Sequence, residues 1–305
     1  MATLVRRAVA LGALFALLGA TLTLAAPPQG GFAGPSADAR IRETVVSLPA
    51  GDHIIPGVFA VPRGGGNAGT YPAVLLLHGF ASQKDEVGDM YRRLARALAE
   101  RGYASLRIDF AGSGDSEQPF LNLTYPGMVA DARAALEWLI SRPETIDDRI
   151  GVQGFSLGSM VGATVGGTDA RIRAFGSWSG AIYNGSQFPF AGQFLAACEA
   201  SGGHLILDLG FTQVDLSCAF FSTMQAATAL DDIAPYAEPI LLVGGSIDTV
   251  VDPQTSRNVI PLVDSLDATL RILPGADHIY LVLTPDQTLA NECITLTADW
   301  YAQKL

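Results

Sequence analysis

Short apolar runs alternate with stretches of helical spacing from about residue 41 to the end of this chain. The run Ala73–Leu77 is apolar at every position, which is typical of a strand covered on both faces in a parallel sheet. Repeated strand–helix alternation predicts an α/β fold with a mainly parallel, doubly wound sheet and helices on both faces. The predicted strands span residues 43–48, 53–61, 73–77, 104–108, 149–155, 172–178, 239–243 and 269–273, the first two antiparallel. The predicted helices span residues 85–101, 128–141 and 285–303, and two more begin at residues 157 and 253.

Residues 181–235 interrupt this alternation within a main domain predicted over residues 41–305. They are rich in glycine and aromatic residues and contain two of the three cysteines. We interpret them as a cap-like insertion, because long insertions in compact domains are more often functional than idle. Cys198 and Cys218 are close enough in sequence to close a loop with a disulfide, which leaves Cys293 unpaired. The alternative is three buried thiols.

The composition indicates an acidic globular protein. The 305 residues are 49% hydrophobic and 16% charged, which excludes intrinsic disorder. The formal net charge of −11 provides no cationic face for phosphates, so no nucleic-acid partner is expected. Three cysteines without zinc-site spacing predict no metal site. Nothing in the sequence indicates an oligomeric state.

Residues 1–25 are predicted to be an export signal, followed by a flexible leader over residues 26–40. A basic pair at residues 6–7 precedes an uncharged apolar run with small residues at its end. Cleavage after Ala25 fits the small-x-small rule, whereas cleavage after Ala26 would place a proline beside the cut. An uncleaved membrane anchor is the alternative, since the run approaches spanning length. We therefore expect an exported protein, periplasmic or secreted, with no stable membrane insertion after cleavage.

The pentapeptide Gly154-Phe-Ser-Leu-Gly158 joins a predicted strand to a predicted helix. A G-x-S-x-G sequence in this context predicts a nucleophile elbow, a sharp turn that presents Ser156 at its tip. The N-terminus of the following helix adds a positive field where an oxyanion would form. We therefore predict that Ser156 is a catalytic nucleophile. The alternative is a plain serine in a glycine-rich turn.

A serine hydroxyl needs a base to act as a nucleophile at neutral pH. His278 lies in a loop after a predicted strand and downstream of Ser156, as the chain order serine, acid, histidine requires. His204, in the insertion, is the rival base. His53 lies in an early strand, where a structural role is expected.

The acid that orients the histidine is predicted at the end of the strand 239–243. Asp248 follows that strand and would accept the imidazole Nδ1–H. Asp252 is the alternative, although it precedes a proline and would serve as a helix cap. Asp277, next to the histidine, is interpreted as a turn residue.

An oxyanion hole needs two backbone donors. The first is predicted to be the N–H of Leu157, directly after the nucleophile. The second is predicted in the loop after the strand 73–77, where Phe80 is preferred and Ala81 is the alternative. His78 in the same loop is expected to act as a structural hydrogen-bonding residue.

Together these motifs resemble the α/β-hydrolase superfamily in order and spacing. Within it, the chain is similar to the feruloyl/cinnamoyl-esterase-like branch of serine carboxylesterases. The resemblance covers roughly residues 43–303. It rests on His78-Gly-Phe80, Lys84-Asp-Glu86, Asp109-Phe-Ala-Gly-Ser-Gly-Asp-Ser-Glu117, the pentapeptide at 154–158, Asp248 and His278.

The resemblance implies an α/β-hydrolase fold and hydrolysis of a small-molecule carboxylic ester through an acyl-enzyme on Ser156, without a cofactor. A peptidase or thioesterase on the same fold is the alternative, because the catalytic residues do not define the bond that is cleaved. A non-catalytic binding protein is a weaker alternative, since Ser156, Asp248 and His278 form a complete set.

Overall fold

The computed structural model describes residues 40–64, 70–187 and 191–305. The predicted signal and almost all of the leader lie outside these residues. The described strands are β1 (Ile41–Ala50), β2 (His53–Pro62), β3 (Tyr71–Leu77), β4 (Ala104–Ile108), β5 (Thr145–Phe155), β6 (Ile172–Trp178), β7 (His204–Asp208), β8 (Gln213–Ser217), β9 (Ile240–Gly245) and β10 (Ala268–Leu273). The described α-helices are α1 (Met90–Ala99), α2 (Tyr125–Ile140), α3 (Leu157–Thr168), α4 (Ala191–Ala200), α5 (Cys218–Gln225), α6 (Ala229–Ile233), α7 (Gln254–Val259) and α8 (Thr288–Lys304).

Eight of the described strands form one sheet in the order β1-β2-β4-β3-β5-β6-β9-β10. The pairs from β4 to β10 are parallel, while β2 is antiparallel to both β1 and β4. This arrangement confirms the predicted mainly parallel sheet with two antiparallel opening strands. The carboxyl ends of β3, β5, β6, β9 and β10 therefore meet along one edge, where loops after sequence-distant strands come together.

The strand β3 shows why the sheet is covered on both faces. Leu75 and Leu77 belong to a core cluster that includes α2 and α3, while Val74 and Leu76 belong to a second cluster that includes α1 and α8. Successive side chains of a strand point to opposite faces, so an unbroken apolar run needs helices on both sides. The expected doubly wound arrangement is confirmed.

The first predicted helix begins later than its sequence pattern indicates. The prediction started at residue 85, but α1 begins at Met90 after a 3₁₀ turn, Val87–Asp89. Glu86 and Asp89 have φ angles of 61° and 57°, which lie in the left-handed region that a right-handed helix cannot contain. Residues 85–89 therefore belong to a strained loop rather than to the helix.

The insertion contributes structure of its own between β6 and β9. The hairpin β7–β8 forms a separate two-stranded antiparallel sheet, flanked in sequence by α4 and α5. Cys198 in α4 and Cys218 at the start of α5 form the predicted disulfide, and Cys293 is a free, buried thiol. Within the described ranges, none of the helices combines the length and the apolar character that crossing a membrane requires.

Candidate active site

Ser156 occupies a tight turn between β5 and α3. Its backbone has φ 50° and ψ −116°, an unfavourable conformation for a residue with a Cβ. Its N–H donates to Trp178 O at 2.9 Å, and its carbonyl accepts the N–H groups of Ser159 and Ala181. These bonds to α3 and to the end of β6 and the loop after it hold the strained turn in place. The serine stands at the carboxyl edge of the sheet, as the pentapeptide predicted.

The two glycines of the pentapeptide let neighbouring chain segments approach the turn. A Cβ on Gly154 would lie 2.3 Å from Ser159 Cα, and one on Gly158 would lie 2.0 Å from Leu77 O. Both distances are too short for any side chain. The loop that follows β3 is consequently pressed directly against the turn that carries Ser156.

His278 and Asp248 complete a chain of hydrogen bonds to the serine. His278 Nε2 lies 3.1 Å from Ser156 Oγ, and its Nδ1 lies 2.8 Å from Asp248 Oδ2. The other carboxylate oxygen of Asp248 accepts the N–H groups of Val250 and Val251, which fixes the carboxylate. Since the carboxylate only accepts, Nδ1 carries the proton and Nε2 presents a lone pair to the serine hydroxyl.

The residues considered as alternatives lie in other environments. Asp252 Oδ1 accepts the N–H of Gln254 at the start of α7, which is the capping role considered for it. Asp277 accepts the N–H groups of the two residues at 279 and 281, as expected of a turn residue. His204 pairs with Asp215 across the hairpin of the insertion and is exposed.

The two predicted oxyanion donors flank the same turn. Leu157 is the first residue of α3, and Phe80 lies in the loop after β3, whose first residues press on Gly158. Neither the Phe80 N–H nor the Leu157 N–H donates a hydrogen bond to another residue within the described parts of the chain. His78 in the same loop is buried and bonded on both ring nitrogens, as expected of a structural residue.

Sequence reasoning missed two residues that support the histidine loop. Ser179 Oγ donates to the His278 carbonyl at 2.9 Å, and the Tyr280 hydroxyl donates to Val243 O at 3.0 Å. Burial raises the pKa of the Tyr280 hydroxyl well above its ordinary value, so it stays a neutral donor. Both residues have positive φ angles, which no sequence pattern indicated. One signal in the sequence could have indicated Ser179: it directly follows β6 and so lies at the edge of the sheet that carries the site.

An ion-pair network centred on the buried Lys84 and Asp109 ties two loops of the site together. Lys84 Nζ lies 2.6 Å from Asp109 and 2.7 Å from Asp115, and Asp109 is fully buried. Burial lowers the pKa of the Lys84 ammonium, but the two carboxylates raise it by more, so the lysine stays charged. The network joins the segment of Lys84 to the segment of Asp109 and Asp115. Both segments were named in the sequence analysis only as motifs that carry the family resemblance.

Known sequences match the central part of this chain, which contains the middle strands of the sheet. A sequence model of the α/β hydrolase fold matches residues 72–175, which include most of β3 and Ser156. An uncharacterized protein of Mycobacterium tuberculosis is 35% identical over 121 residues, which cover 37% of this chain and 40% of that protein. YtaP of Bacillus subtilis is 29% identical over 153 residues, which cover 44% of this chain and 50% of YtaP. The matches thus span half or less of the length of these relatives.

Solved structures resemble nearly the whole described chain. Est1E from Butyrivibrio proteoclasticus, solved with bound ferulic acid, has a TM-score of 0.70 at 18% identity, covering 85% of this chain and 98% of Est1E. Dienelactone hydrolase from Anabaena variabilis has a TM-score of 0.60 at 17% identity, covering 87% and 99%. At this identity the likeness concerns the fold. The chain therefore has the α/β-hydrolase fold that its motifs predicted.

Proposed function

We propose that this protein is a serine hydrolase that cleaves carboxylic esters through an acyl-enzyme on Ser156. The observation that carries the proposal is the unbroken hydrogen-bond chain from Asp248 through His278 to Ser156 at the carboxyl edge of the sheet. A complete chain of this kind gives a serine its base and fixes the tautomer that the base needs.

The reaction follows from the atoms in contact. His278 Nε2 takes the proton of Ser156 Oγ while the oxygen attacks the ester carbonyl carbon, and Asp248 stabilises the resulting imidazolium. The imidazolium returns the proton to the leaving alcohol as the C–O bond breaks. Water then attacks the acyl-enzyme by the same route and releases the acid and the free serine.

The negative charge on the carbonyl oxygen needs preorganised donors. Under this proposal the oxyanion accepts hydrogen bonds from the Leu157 and Phe80 N–H groups, which are free of partners among the described residues. Donors of this kind are already oriented before the charge appears, so stabilising it costs little reorganisation.

The surroundings of Phe80 support an apolar group in the substrate. Its ring lies 5.6 Å from the ring of Phe220 in the insertion and 5.7 Å from that of Phe120, so aromatic surface borders the proposed oxyanion donor. Ferulic acid, the ligand bound to Est1E, carries an aromatic ring, which is consistent with this choice. We propose a small-molecule ester with an apolar or aromatic acyl group as the substrate class.

The test compares wild type with Ser156→Ala in two assays: hydrolysis of esters that vary in acyl length and aryl content, and labelling by a fluorophosphonate. Removing the nucleophile should lower kcat by about 10³-fold or more and abolish the label, with the folded state retained. Wild-type activity should fall on acidification, because a protonated imidazole cannot accept the serine proton.

His204→Gln is the matched control, since it removes the rival histidine from an exposed pair. It should hydrolyse esters at the wild-type rate. Retained activity in Ser156→Ala, or wild-type protein that reacts with neither esters nor the fluorophosphonate, would contradict the proposal. Faster turnover of peptides or thioesters than of any oxygen ester would keep the nucleophile but reassign the bond.

A further inference from the structure

The loop before Phe80 has an unusual requirement at Gly79. A Cβ at this position would lie 2.9 Å from a ring carbon of Phe155 and 3.4 Å from Ser156 Cβ, so only glycine lets the loop come this close to the serine. Glycine, however, gives the backbone its widest choice of conformations. The direction of the next N–H, that of Phe80, therefore has to be fixed by contacts from outside the glycine itself.

Glu86 makes the first of these contacts. Its side chain is buried, and Oε2 accepts the Gly79 N–H at 2.7 Å. The second oxygen, Oε1, accepts the Ser82 hydroxyl at 2.5 Å and the Val87 N–H at 2.9 Å. Every partner of this carboxylate is a donor, as an ionised carboxylate requires. Its own φ of 61° shows that the loop holds Glu86 in a strained conformation to make these bonds.

His78 makes the second contact, on the other side of Gly79. The Phe110 N–H points at His78 Nε2 at 3.2 Å, so this nitrogen acts as the acceptor. The proton is then on Nδ1, which donates to Gly79 O at 2.7 Å. Because the C=O and N–H of a trans peptide point in opposite directions, this bond turns the Phe80 N–H away from the imidazole.

We propose that Glu86 is a positioning residue: it holds the His78–Gly79 peptide through the Gly79 N–H while His78 Nδ1 holds Gly79 O in the next peptide, so that Gly79 is fixed at both ends and the Phe80 N–H is aimed at the oxyanion. This inference rests on the proposed esterase function and adds a residue to its machinery. Glu86 does not touch the substrate. It acts through Gly79, and His78 restrains the following peptide from the opposite side.

The experiment uses the full-length protein with Glu86→Gln, and Glu292→Gln on the exposed side of α8 as the charge-matched control. An amide offers an acceptor at only one of its two terminal atoms, so one of the N–H partners of Glu86 loses its bond. Three quantities are measured. They are kcat and KM on the best ester and the affinity for a trifluoromethyl ketone, which forms a tetrahedral oxyanion adduct with the serine.

Glu86→Gln should lower kcat by about tenfold, less than the 10²–10³-fold expected for losing an oxyanion donor outright, and should weaken ketone binding by a similar factor. KM should stay within about threefold, because the interaction is made only in the transition state. The pH profile should keep its shape, which separates positioning of the loop from an electrostatic effect on His278. Glu292→Gln should match wild type.

Wild-type values of kcat and ketone affinity in folded Glu86→Gln would overturn the inference, and so would a fall in kcat without weaker ketone binding. If Glu86→Gln does not fold, Ser82→Ala serves instead, because it removes one donor to the same carboxylate. It should lower kcat and weaken ketone binding in parallel. Unchanged values in Ser82→Ala would then overturn it. Ester hydrolysis by wild type and its loss in Ser156→Ala are measured alongside. If that hydrolysis is present, an unchanged Glu86 variant contradicts only the role of Glu86. If wild type does not hydrolyse esters, the proposed function itself fails.

Discussion

The disulfide between Cys198 and Cys218 joins α4 to the first residue of α5, the helix that carries Phe220. The ring of Phe220 stacks on that of Phe80, the proposed oxyanion donor, with the two planes 29° apart. The covalent link in the insertion is therefore two residues away from a side chain that packs on Phe80. This contact connects the stability of the insertion to the position of the Phe80 ring.

Replacing both cysteines, Cys198→Ala and Cys218→Ala, should destabilise the insertion. The bridge spans 20 residues, and closing a loop of that size contributes about 3 kcal/mol in the chain-entropy description. We expect a lower Tm and a higher KM for esters with bulky apolar acyl groups, measured by thermal unfolding and steady-state kinetics.

A reductant should produce the same changes in wild-type protein and none in the double variant, since only wild type has a bond to reduce. Identical KM values for wild type and the double variant would show that the insertion does not shape the substrate site.

Asp248→Asn should lower kcat by about 10³–10⁴-fold, because an amide that donates to His278 Nδ1 favours the wrong tautomer. Asp252→Asn is the matched control, since asparagine caps a helix as well as aspartate does and the fold should be unaffected. Steady-state kinetics on the same ester distinguish the two. A larger loss in the Asp252 variant would transfer the role of the acid to that residue.

Expression of residues 1–305 in a bacterial host should yield an exported protein whose first residue is Ala26. The small residues before this position fit the signal-peptidase rule, and the apolar run before them carries no charge. N-terminal sequencing of the protein from the periplasm or medium provides the measurement. A full-length chain recovered from the membrane fraction would instead support an uncleaved anchor.

The sequence was sufficient for the sheet and for the residues that meet at its edge, because each signal was local. An unbroken apolar run predicts a strand covered on both faces, and strands of a parallel sheet end at the same edge. Ser156, Asp248 and His278 each follow such a strand within a few residues. Placing the strands therefore also placed the three side chains together.

The support around these side chains was not predictable, because it depends on backbone conformations and long-range contacts. Glu86 lies in a segment with helical spacing, yet its left-handed backbone excludes it from α1 and turns its carboxylate toward Gly79. Ser179 is 99 residues from the carbonyl that it holds. No periodicity encodes either relationship, so both emerge only when the loops are seen in contact.

The pair formed by His53 and Asp131 should make stability depend on pH. His53 Nε2 lies 2.8 Å from Asp131, a fully buried carboxylate that also accepts the Ala111 N–H beside the site. Burial lowers the pKa of His53, but the hydrogen bond to Asp52 and the charge of Asp131 raise it by more, to above its ordinary value of 6.5. A raised pKa means that the folded state binds the proton more tightly than the unfolded chain does.

The stabilisation from protonated His53 is therefore complete below pH 6.5 and is lost as the pH rises through the raised pKa. We expect the Tm of wild type to exceed that of His53→Gln by a few degrees at pH 6 and by less at pH 9, measured by thermal unfolding across this range. His204→Gln removes a histidine from an exposed pair, and such pairs contribute little, so its Tm should follow wild type at every pH. A Tm difference between wild type and His53→Gln that stays constant or widens toward alkaline pH would contradict this prediction. It would mean that His53 stabilises the fold as a neutral hydrogen-bonding group rather than as a protonated imidazole.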